Sequence, residues 1–129
     1  MKRPYYIAVI AYCAVIFWLS HQSSPPVPEM RFPGEDKLAH MVLFGGLATI
    51  ISVGQHRSGH PRPTWARRYA PILFAAVYGM TDEIHQLFIP LRTFSLLDWL
   101  ADILGAGLAY GVCGRFFRAL PLSSCRDET

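Results

Sequence analysis

Six ionisable residues stand close together between Thr81 and Asp102, in TDEIHQLFIPLRTFSLLDWLAD: Asp82, Glu83, His85, Arg92, Asp98 and Asp102. Gln86 lies among them, and Asp36, Lys37 and His40 form a second polar group earlier in the chain. Carboxylates and imidazoles at this density can move protons as general acids and bases. Lysine and arginine beside them can hold phosphate or carboxylate groups. In one such scheme Glu83 or Asp102 is the base, His40 the acid or base, and Lys37 and Arg92 grip an anion.

The chain around these residues is unusually apolar. Of 129 residues 52% are hydrophobic and 16% charged, and the mean hydropathy is +0.25. A single domain of this size has too little interior to hide so much apolar sequence from water, whereas a bilayer can accept it in long runs. The net charge is +3, but the basic residues are not interleaved with aromatics on one face, so no nucleic-acid partner is expected.

Four apolar runs follow one another, at about 5–20, 38–54, 69–89 and 94–114. Lys2 and Arg3 precede the first, as in a signal peptide. No small-x-small cleavage site follows it, and it ends in the interfacial pair Phe17-Trp18. An uncleaved helix is therefore expected. The segment SSPPVPEMRFPGED (23–36) carries four prolines, which makes it an extended connection. The second run opens with Asp36, Lys37 and His40 at helix-start positions, and Gly45 and Gly46 in its middle permit close helix contact. The segment 55–68 reads as a solvated basic loop. The fourth run is rich in small residues and contains a Gly107–Gly111 GxxxG pair. Residues 115–129 read as a polar tail.

The expected fold is an all-α membrane protein, with four transmembrane helices in a compact bundle formed by residues 1–114. Charge asymmetry orients it. Lys2, Arg3, Arg57, Arg62, Arg67, Arg68, Arg115, Arg118 and Arg126 fall on one side, and Arg31, Lys37 and Arg92 on the other. Both termini, the middle loop and the tail are thereby assigned to the cytoplasm. With that orientation every ionisable residue inside or bordering a span lies in the outer half. Glu83 and Asp102 come to similar depth, about 9 Å below the outer helix ends at 1.5 Å per residue.

An acid near a bilayer centre costs roughly 2.5–3.5 kcal/mol on insertion scales, so these carboxylates must meet each other, a cation or water. Asp98 and Asp102 are four residues apart and share a helix face continued by Gly105 and Ala109; Asp82 and Gln86 are likewise four apart. Lys37, His40 and Arg92 are the expected counter-charges. Asp98 can also serve simply as a helix-start acid, and His85, on a different side from Gln86, can be an interface residue without chemistry. His56 and His60 are assigned no role.

Cys13, Cys113 and Cys125 show neither a disulfide framework nor a metal spacing. No cofactor-binding fingerprint, Walker loop, nucleophile elbow or H-E-x-x-H motif is present.

The sequence resembles the VanZ-like family of small bacterial membrane proteins. The resemblance is carried by Leu19-Ser20-His21-Gln22-Ser23, Asp36-Lys37-Leu38-Ala39-His40 and Tyr78-Gly79. It continues through Asp82-Glu83-Ile84-His85-Gln86-Leu87-Phe88-Ile89-Pro90, Arg92-Thr93-Phe94-Ser95, Asp98 and Gly105. The resemblance implies a multi-pass protein of the cytoplasmic (inner) membrane, in contact with the lipid bilayer. The family's namesake is tied to resistance against the glycopeptide teicoplanin. Asp102 departs from the family pattern, which has asparagine there, and adds a carboxylate.

Three uses of the cluster stay open at this stage. It can act chemically on an envelope lipid or lipid-linked precursor. It can bind such a molecule or a glycopeptide without chemistry. Or it can be a structural network or part of a proton or cation path. A complete transmembrane path is not visible, because the inner half has no acid.

Overall fold

The structure, a computed structural model, describes residues 1–23, 34–58 and 64–119, without the side chains of 66 and 67. It is all-helical, with α1 (Arg3–Ser20), α2 (Glu35–Arg57), α3 (Trp65–Gln86) and α4 (Leu96–Ala119) in that order. The proline-rich connection at 24–33, the loop at 59–63 and the tail at 120–129 lie outside the described residues.

Three of the four helices, α1, α2 and α4, are long and apolar enough to cross a membrane. At 23 and 24 residues, α2 and α4 each span about 35 Å at 1.5 Å per residue. The helices outrun the apolar runs. Glu35 and Asp36 belong to the first turn of α2 rather than to the connection, and His56 and Arg57 to its last. Acids at the start and bases at the end both suit the helix dipole, which is why the helix extends into polar sequence. The tail is also shorter than expected, because α4 continues through Arg115 and Arg118 to Ala119.

In contrast, α3 stops at Gln86, short of its apolar run. Leu87, Phe88 and Ile89 form successive tight turns on the carbonyls of Ile84, His85 and Gln86. Leu91 then adopts a positive φ of 65°, uncommon outside glycine, and reverses the chain into α4.

The second helix is central: it packs against α4, α3 and α1, whereas α1 and α4 do not meet among the described residues. The core is Ile16, Phe44, Leu47, Ala48, Ile51, Ala75 and Ala106. Large apolar side chains are exposed on every helix, among them Ile10, Val42, Val77, Leu104, Leu108 and Val112. So much exposed apolar surface is what a multi-pass membrane protein presents to lipid.

The α2–α4 approach depends on two glycines. A Cβ added to Gly105 would strike the backbone of Met41, and one added to Gly45 would lie 3.2 Å from the Gly105 carbonyl oxygen. The GxxxG pair expected to make such a contact does not: Gly107 and Gly111 face open space. Two residues, about 200° of rotation, separate the two faces. Gly105 lies on the face of Asp98, Asp102 and Ala101, which is buried, and Gly107 does not.

At the end of the molecule away from the acids, the Lys2 backbone N–H donates to Ser58 Oγ at 3.0 Å, joining the start of α1 to the end of α2. At the opposite end the polar residues of all four helices converge.

Candidate functional site

The start of α2, the end of α3 and the start of α4 meet, because successive helices run in opposite directions. Asp82, Glu83, Gln86, Asp98 and Asp102 are all buried. Glu83 and Asp102 are 0% exposed, an exposure acids reach only with partners.

Each acid has one. His40 Nδ1 lies 2.9 Å from Asp102 Oδ1, and Phe44, one turn further along α2, stacks near the imidazole at 6.3 Å. Lys37 Nζ lies 2.9 Å from Asp36 Oδ2 and 3.0 Å from Asp98 Oδ1, so it links two acids on two helices. Gln86 Nε2 donates to Asp82 Oδ2 and to Ser20 Oγ, both at 3.2 Å, realising the expected i,i+4 pair and tying α3 to α1. Lys37 therefore takes the expected place of a counter-charge, and His40, also expected there, meets Asp102 through a hydrogen bond.

Arg92 does not. Its Nε donates to the Gln22 carbonyl at 3.2 Å, and among the described residues it forms no ion pair with an acid. The reason is local: the turn through Leu91 carries residue 92 toward the end of α1, away from the facing carboxylates. Its contact holds the end of α1 onto the α3–α4 turn.

Glu83 takes a role the sequence did not suggest. Its Oε2 accepts the Ser95 backbone N–H at 2.8 Å, while Ser95 Oγ accepts the Asp98 N–H at 3.2 Å. Ser95 is thus the N-cap of α4. In a capping box the acid three residues on returns a bond to the cap N–H. Here Glu83 of the neighbouring helix supplies that half, and Asp98 is free to face Lys37. The Ser95-x-x-Asp98 spacing is a capping signature that could have located Ser95 in advance; nothing in the sequence pointed to Glu83 as the partner.

Three further residues shape the site. A Cβ on Gly79 would lie 2.5 Å from Asp102 Oδ2, so this glycine is a cradle for the carboxylate. Tyr78 Oη donates to the Cys13 carbonyl at 2.7 Å, and Trp99 Nε1 to the Ala76 carbonyl at 2.8 Å; both fasten helices below the acids. His85 stands apart from the cluster, its ring stacked on Phe17 at 4.6 Å and near His21 at 5.4 Å. It is a contact between α3 and α1.

Three buried carboxylate oxygens have no hydrogen-bond partner: Glu83 Oε1, Asp102 Oδ2 and Asp98 Oδ1, of which only the last has a cation beside it, Lys37 Nζ at 3.0 Å. A buried acceptor without a partner is costly, and such atoms concentrate where a ligand or ion completes the network.

This constellation can be set beside known proteins. A family model described as VanZ/LLP1 matches residues 5–118. The chain belongs to the VanZ/LLP1 family. The match takes in all four helices and every polar residue of the site. No curated protein matches the chain, and no solved structure does.

Proposed function

We propose that the chain crosses the cytoplasmic membrane four times, with both termini inside. Residues 1–114 form one membrane domain, and the polar cluster opens at the outer interface. There it binds or chemically processes an envelope lipid or lipid-linked precursor. The observation that carries this reading is the convergence of Lys37, His40, Glu83, Asp98 and Asp102 from three helices at one end of the molecule.

The third helix misses the hydropathy of a span because of Asp82, Glu83 and Gln86. All three are turned inward, so the helix can cross without showing them to lipid. The charge asymmetry of the connections supports the orientation. All acids within the helices, Glu35, Asp36, Asp82, Glu83, Asp98 and Asp102, then lie toward the outer side. A transport path would need polar residues in the other half as well, which weighs against that reading.

The chemistry at hand suits an anionic headgroup. Lys37 is partly exposed at the mouth of the cluster, its side chain 36% accessible, and can meet a phosphate. His40 is oriented through Nδ1 by Asp102, which leaves Nε2 to face what binds in the cluster. Glu83 offers Oε1. A glycopeptide of the teicoplanin kind is a second ligand class for the same mouth, suggested by the family's namesake alone.

The test is Glu83→Gln. A glutamine carbonyl can still accept the Ser95 N–H, so the variant keeps the cap and loses only charge. Membrane abundance should stay near wild type. The envelope phenotype of a deletion strain, including its glycopeptide susceptibility, should no longer be complemented, a loss of at least about 10-fold for a charged contact. Loss of abundance in step with phenotype would make the cluster structural. Lipid profiling of the deletion strain separates the two modes: an accumulated precursor indicates chemistry, and an unchanged profile indicates binding.

A further inference from the structure

We propose that His40, Glu83 and Asp98 form a binding site for one divalent transition-metal ion of the zinc type. One ligand atom from each lies within 4.8 Å of the other two, although they come from α2, α3 and α4. Linear spacing hides the site because no two of the three share a helix.

Three observations support an ion there. The first is Glu83: its side chain is fully buried, Oε2 is taken by the Ser95 N–H, and Oε1 has no partner. The second is the orientation of His40. Metal-binding histidines commonly give their other ring nitrogen to a carboxylate, which fixes the ring and strengthens the ligand. Asp102 does this to His40 Nδ1 at 2.9 Å, leaving Nε2 for the metal. The third is charge. Glu83, Asp98 and Asp102 bring three carboxylates to one histidine. Among the described residues Lys37 is the only ammonium or guanidinium paired with any of them, and it is shared with Asp36. With His40 neutral and Lys37 shared with Asp36, the carboxylates outnumber the cations beside them, an excess that a divalent ion offsets.

One imidazole and two carboxylates favour zinc-like ions over magnesium, which prefers an all-oxygen shell. Three protein ligands leave a coordination position open. Entry of a ligand phosphate oxygen there would rest on the proposed function; metal uptake itself does not.

The experiment uses the full chain in nanodiscs, stripped with a chelator and titrated with Zn²⁺ by calorimetry. The expected result is one Zn²⁺ per chain. Glu83→Gln and Asp98→Asn should each weaken binding at least about 10-fold, and Asp102→Asn by about 10–100-fold, as for other ligand-orienting carboxylates. His85→Ala, a histidine outside the set, should bind as wild type does. X-ray absorption of zinc bound to the wild-type chain needs no variant to fold: it should show an imidazole and oxygen donors at about 2.0–2.2 Å. Uptake below about a tenth of an equivalent, affinity unchanged in both Glu83→Gln and Asp98→Asn, or a zinc spectrum without imidazole would overturn the site. A wild-type chain that binds zinc yet leaves the envelope unaltered on deletion would keep the metal site and refute the envelope reading, so the two fail separately.

Discussion

Gly105→Ala is expected to cost the protein its α2–α4 contact. The added Cβ would overlap the Met41 carbonyl oxygen, Cα and carbonyl carbon, all backbone atoms of a helix that cannot bend aside cheaply. Overpacking of this kind costs about 1–3 kcal/mol, and more where no side chain can yield; the upper end is expected here. Thermal unfolding in detergent should show a large drop in midpoint, and membrane abundance should fall. Gly107→Ala supplies the contrast. Nothing lies within 4 Å of its added Cβ, and exchanging glycine for alanine in a helix is worth up to about 1 kcal/mol, so that variant should be unchanged or slightly more stable. Equal effects at the two positions would mean that α2 and α4 do not cross at Gly105.

His40→Ala carries the second large effect. It would leave Asp102, 0% exposed, with neither oxygen partnered. Removing one member of a buried pair costs about 3–5 kcal/mol, most of it the penalty of the abandoned charge. The double variant His40→Ala/Asp102→Asn should therefore be more stable than His40→Ala alone, since the neutral amide no longer carries that charge. Asp102→Asn alone should be mild, because an asparagine oxygen can keep the bond to His40. Denaturation of the four proteins closes a double-mutant cycle. Strict additivity would mean that the pair does not interact.

These variants also mark how far the sequence alone could be read. The helical class, the number of helices and the identity of the polar residues follow from long apolar runs broken by proline and charge. The Asp82–Gln86 pairing follows from their i,i+4 spacing on one helix, and that of His40 with Asp102 follows in part from depth: both lie near the starts of helices that begin at the same end, where they must meet a partner or face lipid. What could not be read depends on rotation about a helix axis and on turn geometry. GxxxG spacing points to Gly107 and Gly111, but the buried face of α4 is fixed by its acids and lies on Gly105. Arg92 sits between two acidic helix ends in sequence, yet the positive φ at Leu91 sends it to the Gln22 carbonyl. The role of Glu83 in capping α4 joins residues 12 apart on different helices, beyond any local signature.

The central claim is that the acids of α2, α3 and α4 share one face of the membrane, which requires α3 to cross despite its charges. Thiol labelling tests this most directly. In a chain whose three cysteines are replaced by serine, Lys37→Cys marks the start of α2 and Arg92→Cys the α3–α4 turn. Both should react with a membrane-impermeant maleimide added outside intact spheroplasts. Reaction of Lys37→Cys from outside, with Arg92→Cys reacting only after permeabilisation, would put the two groups on opposite faces and contradict the account.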